Sequence, residues 1–113
     1  MRETEAMEEL IALIGKDTYK YHEKEIFQEL IKYVFGTYKE HYVGDGEVQT
    51  IDFWKSLGSL ETTSRDIAIK YLARYGKKNG KNKDDLFKAI HFIFFMLHVK
   101  RLEEEKQVKD SNG

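Results

Sequence analysis

One apolar segment, residues 86–99, limits the possible folds of this chain more than any other part of it. Eleven of its fourteen residues are apolar, and only Lys88, His91 and His98 interrupt them. The most apolar stretch, residues 90–99, is about half the length that a membrane-spanning helix requires, so we expect a core helix and no membrane partner. A helix that is apolar on all sides must be covered on all sides. The segment therefore predicts the central helix of a bundle, with part of its surface buried between the subunits of a homo-oligomer.

The rest of the sequence is divided into helical lengths by glycine, since the chain contains eight glycines and no proline. Between these glycines, apolar residues recur with the three-and-four spacing of amphipathic helices. We predict helices over residues 3–14, 17–35, 51–57, 62–75 and 84–105, and a loop over residues 42–50. The predicted fold class is all-α: a small helical bundle of four to five helices with a central apolar C-terminal helix.

Capping residues set the predicted helix ends. Asp17 or Thr18 is expected to cap the second helix and one of residues 62–64 the fourth, because short oxygen-bearing side chains accept hydrogen bonds from a first turn. Asp84 and Asp85 are expected to open the last helix, where the helix dipole favours acids. Glycine is expected to end the earlier helices at Gly15, Gly36, Gly58 and Gly76.

Charge is distributed unevenly although the formal net charge is only -1. Residues 65–83 carry seven basic residues and one acid, whereas residues 1–40 carry nine acids and six bases. A local basic excess suits phosphate-bearing ligands, while the near-zero net charge does not favour nucleic acid as a partner. The chain has no cysteine, and its acidic N-terminus lacks the order of a signal peptide. We therefore expect a cytoplasmic protein.

The candidate phosphate-binding residues lie on and after the predicted fourth helix. Lys70, Arg74 and Lys77 have the spacing of one helix face, and Lys78 and Lys81 follow in a loop that contains Gly76 and Gly80. Converging cations of this kind bind phosphate groups. A solvated basic surface without a ligand is the alternative that the sequence leaves open.

Mg²⁺ is the candidate cofactor, because Asp84 and Asp85 would repel a phosphate unless a cation bridged them. No haem, flavin or zinc is expected, since metal-binding spacings of histidine and cysteine are absent from the sequence. Residues 76–82 differ from a phosphate-binding P-loop in spacing, and Asn82 replaces the required Ser or Thr. These residues therefore do not form a P-loop.

His41 is the candidate functional histidine, because it lies in a polar stretch beside Tyr42, where it could pair with phosphate, stack on a base or transfer a proton. A helix-terminal histidine without such a role is the alternative. Tyr71 or Tyr75 could stack on a nucleobase at the edge of the basic face. His91 and His98 are expected in the core or an interface rather than at a metal.

Four segments together resemble a known family. They are His41-Tyr42, residues 51–53 (Ile-Asp-Phe), residues 69–80 (Ile-Lys-Tyr-Leu-Ala-Arg-Tyr-Gly-Lys-Lys-Asn-Gly) and residues 84–89 (Asp-Asp-Leu-Phe-Lys-Ala). Over residues 41–97 the chain resembles the bacteriophage family catalogued as domain of unknown function 3310 (DUF3310). Members of that family are often described as phage nucleotide kinase-like proteins or as early proteins that affect sensitivity to host abortive-infection defence.

The resemblance implies a phage-type nucleotide-binding protein of the host cytoplasm with nucleoside monophosphate kinase-like activity. His41 and Asp85 become candidate catalytic residues, and the implied ligand-binding residues are His41, Tyr42, Lys70, Tyr71, Arg74, Lys77, Lys78 and Lys88. Ile67 stands where the family usually has asparagine, and Ala73 where an aromatic residue often precedes the arginine. These departures favour the alternative of a non-catalytic module that sequesters a nucleotide-derived signal or otherwise counters host defence.

The resemblance also divides the chain into three parts. Residues 1–40 lie outside it and are interpreted as a helical extension that could build an oligomer. Residues 41–102 form the family-like helical domain, and residues 103–113 are expected to be a frayed tail.

Overall fold

The computed structural model describes residues 2–15, 19–39 and 46–112. Within these ranges the chain is helical and has no β-strand, so the all-α prediction is confirmed. The helices are α1 (Arg2–Ile14), α2 (Glu23–Thr37), α3 (Gly46–Ser56), α4 (Leu60–Arg74) and α5 (Lys83–Asn112). Measured for length and hydropathy over the described residues, none of them is able to cross a lipid bilayer.

The chain divides into two compact units, Met1–Gly36 and Thr37–Gly113, whereas the sequence analysis placed a boundary after residue 40. In the first unit, Leu30 of α2 is buried, but its neighbour Ile31 is half exposed. Within the described residues, the apolar stripe of α2 is therefore covered at Leu30 and exposed at Ile31.

Both ends of α2 differ from the prediction. The expected caps at residues 17–18 lie outside the described residues. At the observed start, the N–H of Tyr21 donates a 2.7 Å hydrogen bond to the carboxylate of Glu23. At the other end, α2 runs through Gly36 to Thr37. The predicted stop at Gly36 is wrong because a glycine ends a helix when it adopts a positive φ, and Gly36 does not.

The second unit is organised around the packing of α4 along α5, with α3 packed against α4. Ser64 and Ala68 on α4 and Ala89 on α5 are almost fully buried, and side chains this small allow a short distance between helix axes. The core cluster consists of Leu60 and Phe95, against which Ile51, Trp54, Phe92 and Val99 pack.

A tight turn at Gly58 joins α3 to α4. Gly58 has a φ of +76°. Its N–H donates to the carbonyl of Lys55 at 3.0 Å, and the N–H of Ser59 donates to the carbonyl of Trp54 at 2.9 Å. These are the two hydrogen bonds of a Schellman motif, which requires a left-handed residue at the glycine position. The turn holds Trp54 next to the start of α4.

Three predicted boundaries are corrected by the structure. α4 begins at Leu60, before residues 62–64, because the turn already provides its first hydrogen-bonding partners. α3 begins at Gly46, so the second half of the expected loop is helical; apolar residues 48, 51 and 54 continue the helical spacing there. α5 continues to Asn112, beyond the expected end near residue 105. Opposite charges four residues apart, such as Glu105 and Lys109, favour this extension.

The connection between α4 and α5 contains three left-handed residues. Gly76, Asn79 and Gly80 have φ values of +86°, +61° and +65°. The N–H of Gly76 donates to the carbonyl of Gly80 at 2.9 Å, which closes the turn. Glycine adopts this conformation without the steric cost that a Cβ atom imposes, so the glycines of the basic stretch are explained by the turn itself.

The apolar helix α5 is only partly covered. Phe95 and Ala89 are buried, whereas Ile93 and Phe94 are each 40% exposed and Leu97 is 55% exposed. Over the described residues the chain thus covers one side of α5 and leaves a strip of the other open. The expected central position of this helix and its burial in a homo-oligomer stay predictions.

Candidate functional site

A pocket lies between α3, α4 and α5, beside the basic stretch. Its volume is about 330 Å³. Small-molecule sites span about 300–1,000 Å³, so it lies at the lower end of that range. The lining residues are Thr50, Ile51 and Trp54 from α3, Ile67, Lys70 and Tyr71 from α4, and Lys88 and Phe92 from α5. Two ammonium groups and three aromatic rings therefore share one small recess, called the three-helix pocket below.

Tyr71 lies at the centre of a group of cations. The Nζ atoms of Lys70 and Lys88 are each 5.1 Å from the centroid of its ring, and the Cζ atom of Arg74 is 5.7 Å from it. A cation within about 6 Å of an aromatic face is attracted by the ring quadrupole. The ring thus offsets part of the repulsion among three like charges, of which Lys70 and Lys88 line the pocket.

One of these cations is compensated by a buried acid. The Nε atom of Arg74 lies 3.6 Å from Oδ1 of Asp85, and the Asp85 side chain is only 7% exposed. The separation makes an ion pair but exceeds that of a charge-assisted hydrogen bond. Nε of Arg74 and Oδ2 of Asp85 are buried without a hydrogen-bond partner among the described residues. The pair neutralises charge while leaving polar atoms unsatisfied.

The aromatic side chains of the pocket are held in place by the hydrophobic core. Trp54 and Phe92 both pack against the Leu60–Phe95 core cluster. The rings of Phe92 and Phe95 meet edge to face, with centroids 5.4 Å apart. Aromatic side chains held in this way give a preformed surface on which a planar group can stack.

His91 lies one turn after Lys88, and it is buried as expected for a core histidine, whereas His98, for which the same was expected, is exposed. Its ring stacks on Phe95 at 4.9 Å and is tilted against Tyr38 at 6.0 Å. Burial lowers the pKa of His91, and the charge of Lys88 lowers it further. His91 is therefore a neutral neighbour of the pocket and is not among its lining residues.

The sequence-predicted site residues are only partly brought together. Lys70, Tyr71, Arg74 and Lys88 form one cluster. Lys77 and Lys78 are exposed in the turn after α4 and do not line the three-helix pocket. The face that Lys70 and Arg74 share ends there because α4 itself ends at Arg74.

Two further predicted residues, His41 and Tyr42, lie outside the described residues. The two adjacent acids at the start of α5 have different environments. Asp84 is exposed, and its N–H donates a 2.9 Å hydrogen bond to Oδ1 of Asn82. Asp85 is buried against Arg74. Of this pair, only Asp84 presents its side chain to solvent.

The described residues contain no cluster of three His, Asp or Glu side chains that would form a protein metal site. Mg²⁺ in phosphate-binding sites is commonly held by one or two carboxylates together with the ligand's phosphate oxygens. Asp84 is suited to that arrangement because its side chain is exposed. Asp85 does not fit it, since its charge is used by Arg74.

Sequence reasoning missed the α3 side of the pocket. Trp54, Ile51 and Thr50 line it, and none of them belongs to the basic stretch. Trp54 is the single tryptophan of the chain, which could have been a signal. Its position beside Tyr71 and Lys88 depends on the turn at Gly58, which the sequence does not specify in three dimensions.

Comparison with known protein families gives a match over about half of the chain. The profile of the family described as protein of unknown function (DUF3310) matches residues 36–93. The matched segment contains every residue that lines the three-helix pocket. No curated protein and no solved structure matches the chain.

Proposed function

The chain belongs to the DUF3310 family, and from the pocket that its matched segment builds we propose that the protein binds nucleotides. The observation that supports this proposal is the meeting of Trp54, Tyr71 and Phe92 with the ammonium groups of Lys70 and Lys88 in one recess. Aromatic faces accept a base by stacking, and ammonium groups pair with phosphate oxygens.

In this proposal the phosphate group lies at the Tyr71 side of the pocket, between Lys70 and Lys88. These two lysines have no acid paired with them by an ion pair in the described residues, in contrast to Arg74. The base lies against Trp54 and Phe92, which the core holds in place. The pocket is enclosed on three sides by helices, which favours a small ligand over a nucleic acid.

We propose nucleotide kinase-like activity in a phage-encoded protein of the host cytoplasm as the catalytic form of this function. The family resemblance supports it. Lys70 and Lys88 would stabilise charge on a transferring phosphoryl group. Asp84 does not line the pocket but lies one helical turn before Lys88, and from there it would hold a Mg²⁺ ion together with phosphate oxygens. When bound, Mg²⁺ would supply electrostatic stabilisation of the phosphates.

The second candidate is capture without turnover, in which the same pocket sequesters a nucleotide-derived signal and so counters a host defence. The state of Asp85 favours it. This carboxylate, a candidate catalytic residue, is buried against Arg74 and does not line the pocket. A general base must reach the proton that it removes. Catalysis would then require a base from elsewhere, for which His41 is the sequence candidate.

Calorimetric titration of the purified chain with nucleoside mono-, di- and triphosphates and cyclic nucleotides, with and without Mg²⁺, tests nucleotide binding. We expect saturable binding that Lys88→Ala weakens at least tenfold, because one of the two ammonium groups of the pocket is lost. Lys100→Ala is the matched control, since Lys100 is an exposed lysine of α5 outside the pocket. Equal effects of the two variants, or no binding at all, would reject the proposal.

Turnover separates the two candidates. The kinase-like form predicts that ATP is consumed when the bound monophosphate and Mg²⁺ are present, and that Lys88→Ala slows this consumption. The capture form predicts binding of one nucleotide with no consumption of ATP over many hours. Chromatographic separation of the nucleotides after incubation measures both.

A further inference from the structure

We infer that Asp85 is a specificity-determining positioning residue, which limits the negative charge of the ligand by neutralising Arg74 beside the pocket. The inference rests on the proposed nucleotide binding. Three cations surround the Tyr71 ring, and Asp85 forms an ion pair with one of them. The cluster of these five residues therefore carries a formal charge of +2 rather than +3 (three cations minus one acid).

Asp85 acts through Arg74 because it does not reach the ligand itself. Asp85 is 5% exposed, and it is not among the residues that line the pocket. Arg74 links it to the site, since the guanidinium group lies 3.6 Å from the carboxylate on one side and 5.7 Å from the Tyr71 ring on the other. Tyr71 is part of the pocket wall.

The geometry of the pair points to this role rather than to stability. Nε of Arg74 and Oδ2 of Asp85 have no hydrogen-bond partner among the described residues, and the ion pair is longer than a hydrogen bond. An ion pair with a buried acid and unsatisfied polar atoms contributes little net stability, because the cost of removing the carboxylate from water is not recovered. What the pair does supply is a fixed guanidinium position and a lower local charge.

The consequence concerns ligands that differ in the number of phosphates. A monophosphate is satisfied by the two ammonium groups of Lys70 and Lys88. A triphosphate brings about two additional negative charges, and these gain less from an Arg74 that Asp85 already neutralises. Removing the charge of Asp85 should therefore strengthen triphosphate binding more than monophosphate binding. Two charge pairs at roughly 8 Å in a water-like dielectric correspond to about a fivefold change.

The test compares Asp85→Asn with the wild-type chain in titrations without Mg²⁺. The probes are the mono- and triphosphate of whichever nucleoside binds the wild type best. We expect the ratio of triphosphate to monophosphate affinity to rise about fivefold in Asp85→Asn. Asp66→Asn is the matched control: Asp66 is an exposed acid of α4 whose ion pair with Arg65 lies outside the pocket. Its ratio should stay within about twofold of the wild type, since distant surface charges are screened.

A loosened structure would lower both affinities and leave their ratio unchanged, so the ratio separates the charge effect from a folding defect. If Asp85→Asn does not fold, Arg74→Gln and the double variant Arg74→Gln/Asp85→Asn give the same comparison. Arg74→Gln should lower the ratio, and the double variant, which has the formal charge of the wild-type cluster, should restore it.

Each outcome decides the inference. A raised ratio in Asp85→Asn alone, or its restoration in the double variant, supports it. If the wild type binds nucleotides and Asp85→Asn has the same affinity ratio, the role of Asp85 is overturned and the proposed function stands. No nucleotide binding by the wild type overturns both.

Discussion

The ammonium group of Lys88 lies 5.1 Å from the centre of the Tyr71 ring, and the two residues come from different helices. Lys70 approaches the same ring at the same distance from its own helix, α4. Tyr71 therefore joins the basic face of α4 to the lysine of α5, and the three-helix pocket opens beside this junction.

Replacing Tyr71 by leucine should lower the free energy of unfolding by about 1–2 kcal/mol, because the cations lose the aromatic face that attracts them. Tyr71→Phe keeps the ring and should stay within about 0.5 kcal/mol of the wild type. Urea denaturation followed by circular dichroism measures both variants. Equal losses in Leu and Phe variants would show that the cation–ring contacts contribute nothing.

Ser64 offers a test of the packing between α4 and α5. Ser64 is fully buried, and its hydroxyl group has no hydrogen-bond partner among the described residues. Ser64→Ala should leave the free energy of unfolding unchanged or raise it by up to about 1 kcal/mol, because an unsatisfied buried hydroxyl is removed. Ser64→Val should lower it by about 1–3 kcal/mol through overpacking. A marked loss of stability in the alanine variant would mean that the hydroxyl is hydrogen-bonded.

Gly58 and Gly36 should respond in opposite directions to alanine. Gly58 has a φ of +76°, and an alanine there should cost about 1 kcal/mol in the left-handed conformation although no atom lies within 4 Å of the added Cβ. Gly36 lies inside α2 with the same free space. Gly36 is the penultimate residue of α2, so Gly36→Ala should stabilise by up to about 0.5 kcal/mol, since alanine has the higher helix propensity. Thermal unfolding of both variants gives the signs. A stabilising Gly58→Ala would contradict the assigned turn, and a destabilising Gly36→Ala would contradict the helical conformation of Gly36.

His91 should make stability depend on pH. Burial and the charge of Lys88 lower its pKa in the folded state, so the unfolded chain takes up a proton first as the pH falls. The contribution of neutral His91 is complete above about pH 6.5 and is lost progressively as the pH falls below that value towards the lowered pKa. His91→Phe should flatten this part of the stability curve. Denaturation midpoints at pH 7.5, 6.5 and 5.5 compare the two proteins, and parallel curves would argue against a lowered pKa.

The sequence predicted the helices better than their ends. The apolar spacing of residues 67–75 located α4, and the apolar run of residues 86–99 located α5. The predicted helix boundaries were wrong where a hydrogen-bonded turn sets the helix end. The turn at Gly58 and Ser59 starts α4 earlier than capping by its threonines would. Spacing reports which face of a helix is apolar, whereas the end of a helix depends on a few backbone contacts.

The candidate site was predictable only on its α4 and α5 side. Helical spacing placed Lys70 and Arg74 on one face. It could not show that Asp85, which lies on the next helix, would be buried against Arg74. It also expected Lys77 and Lys78 at the site, whereas α4 ends before them. Trp54 lines the pocket because of packing between helices, which helical spacing does not predict. Local patterns fix neighbours along a helix, and contacts between helices depend on how three apolar faces meet.

Fluorescence of Trp54 tests the proposed function most directly, because it is the single tryptophan of the chain and it lines the pocket. Nucleoside monophosphates are titrated against the wild type, Lys88→Ala and Lys100→Ala, with the free nucleosides and ribose 5-phosphate as partial ligands. We predict a saturable change in Trp54 emission with at least one monophosphate, weakened at least tenfold in Lys88→Ala and retained in Lys100→Ala. Each partial ligand should bind more weakly than the whole. Emission that does not change with any nucleotide, or that changes equally in all three proteins, would contradict nucleotide binding in the three-helix pocket.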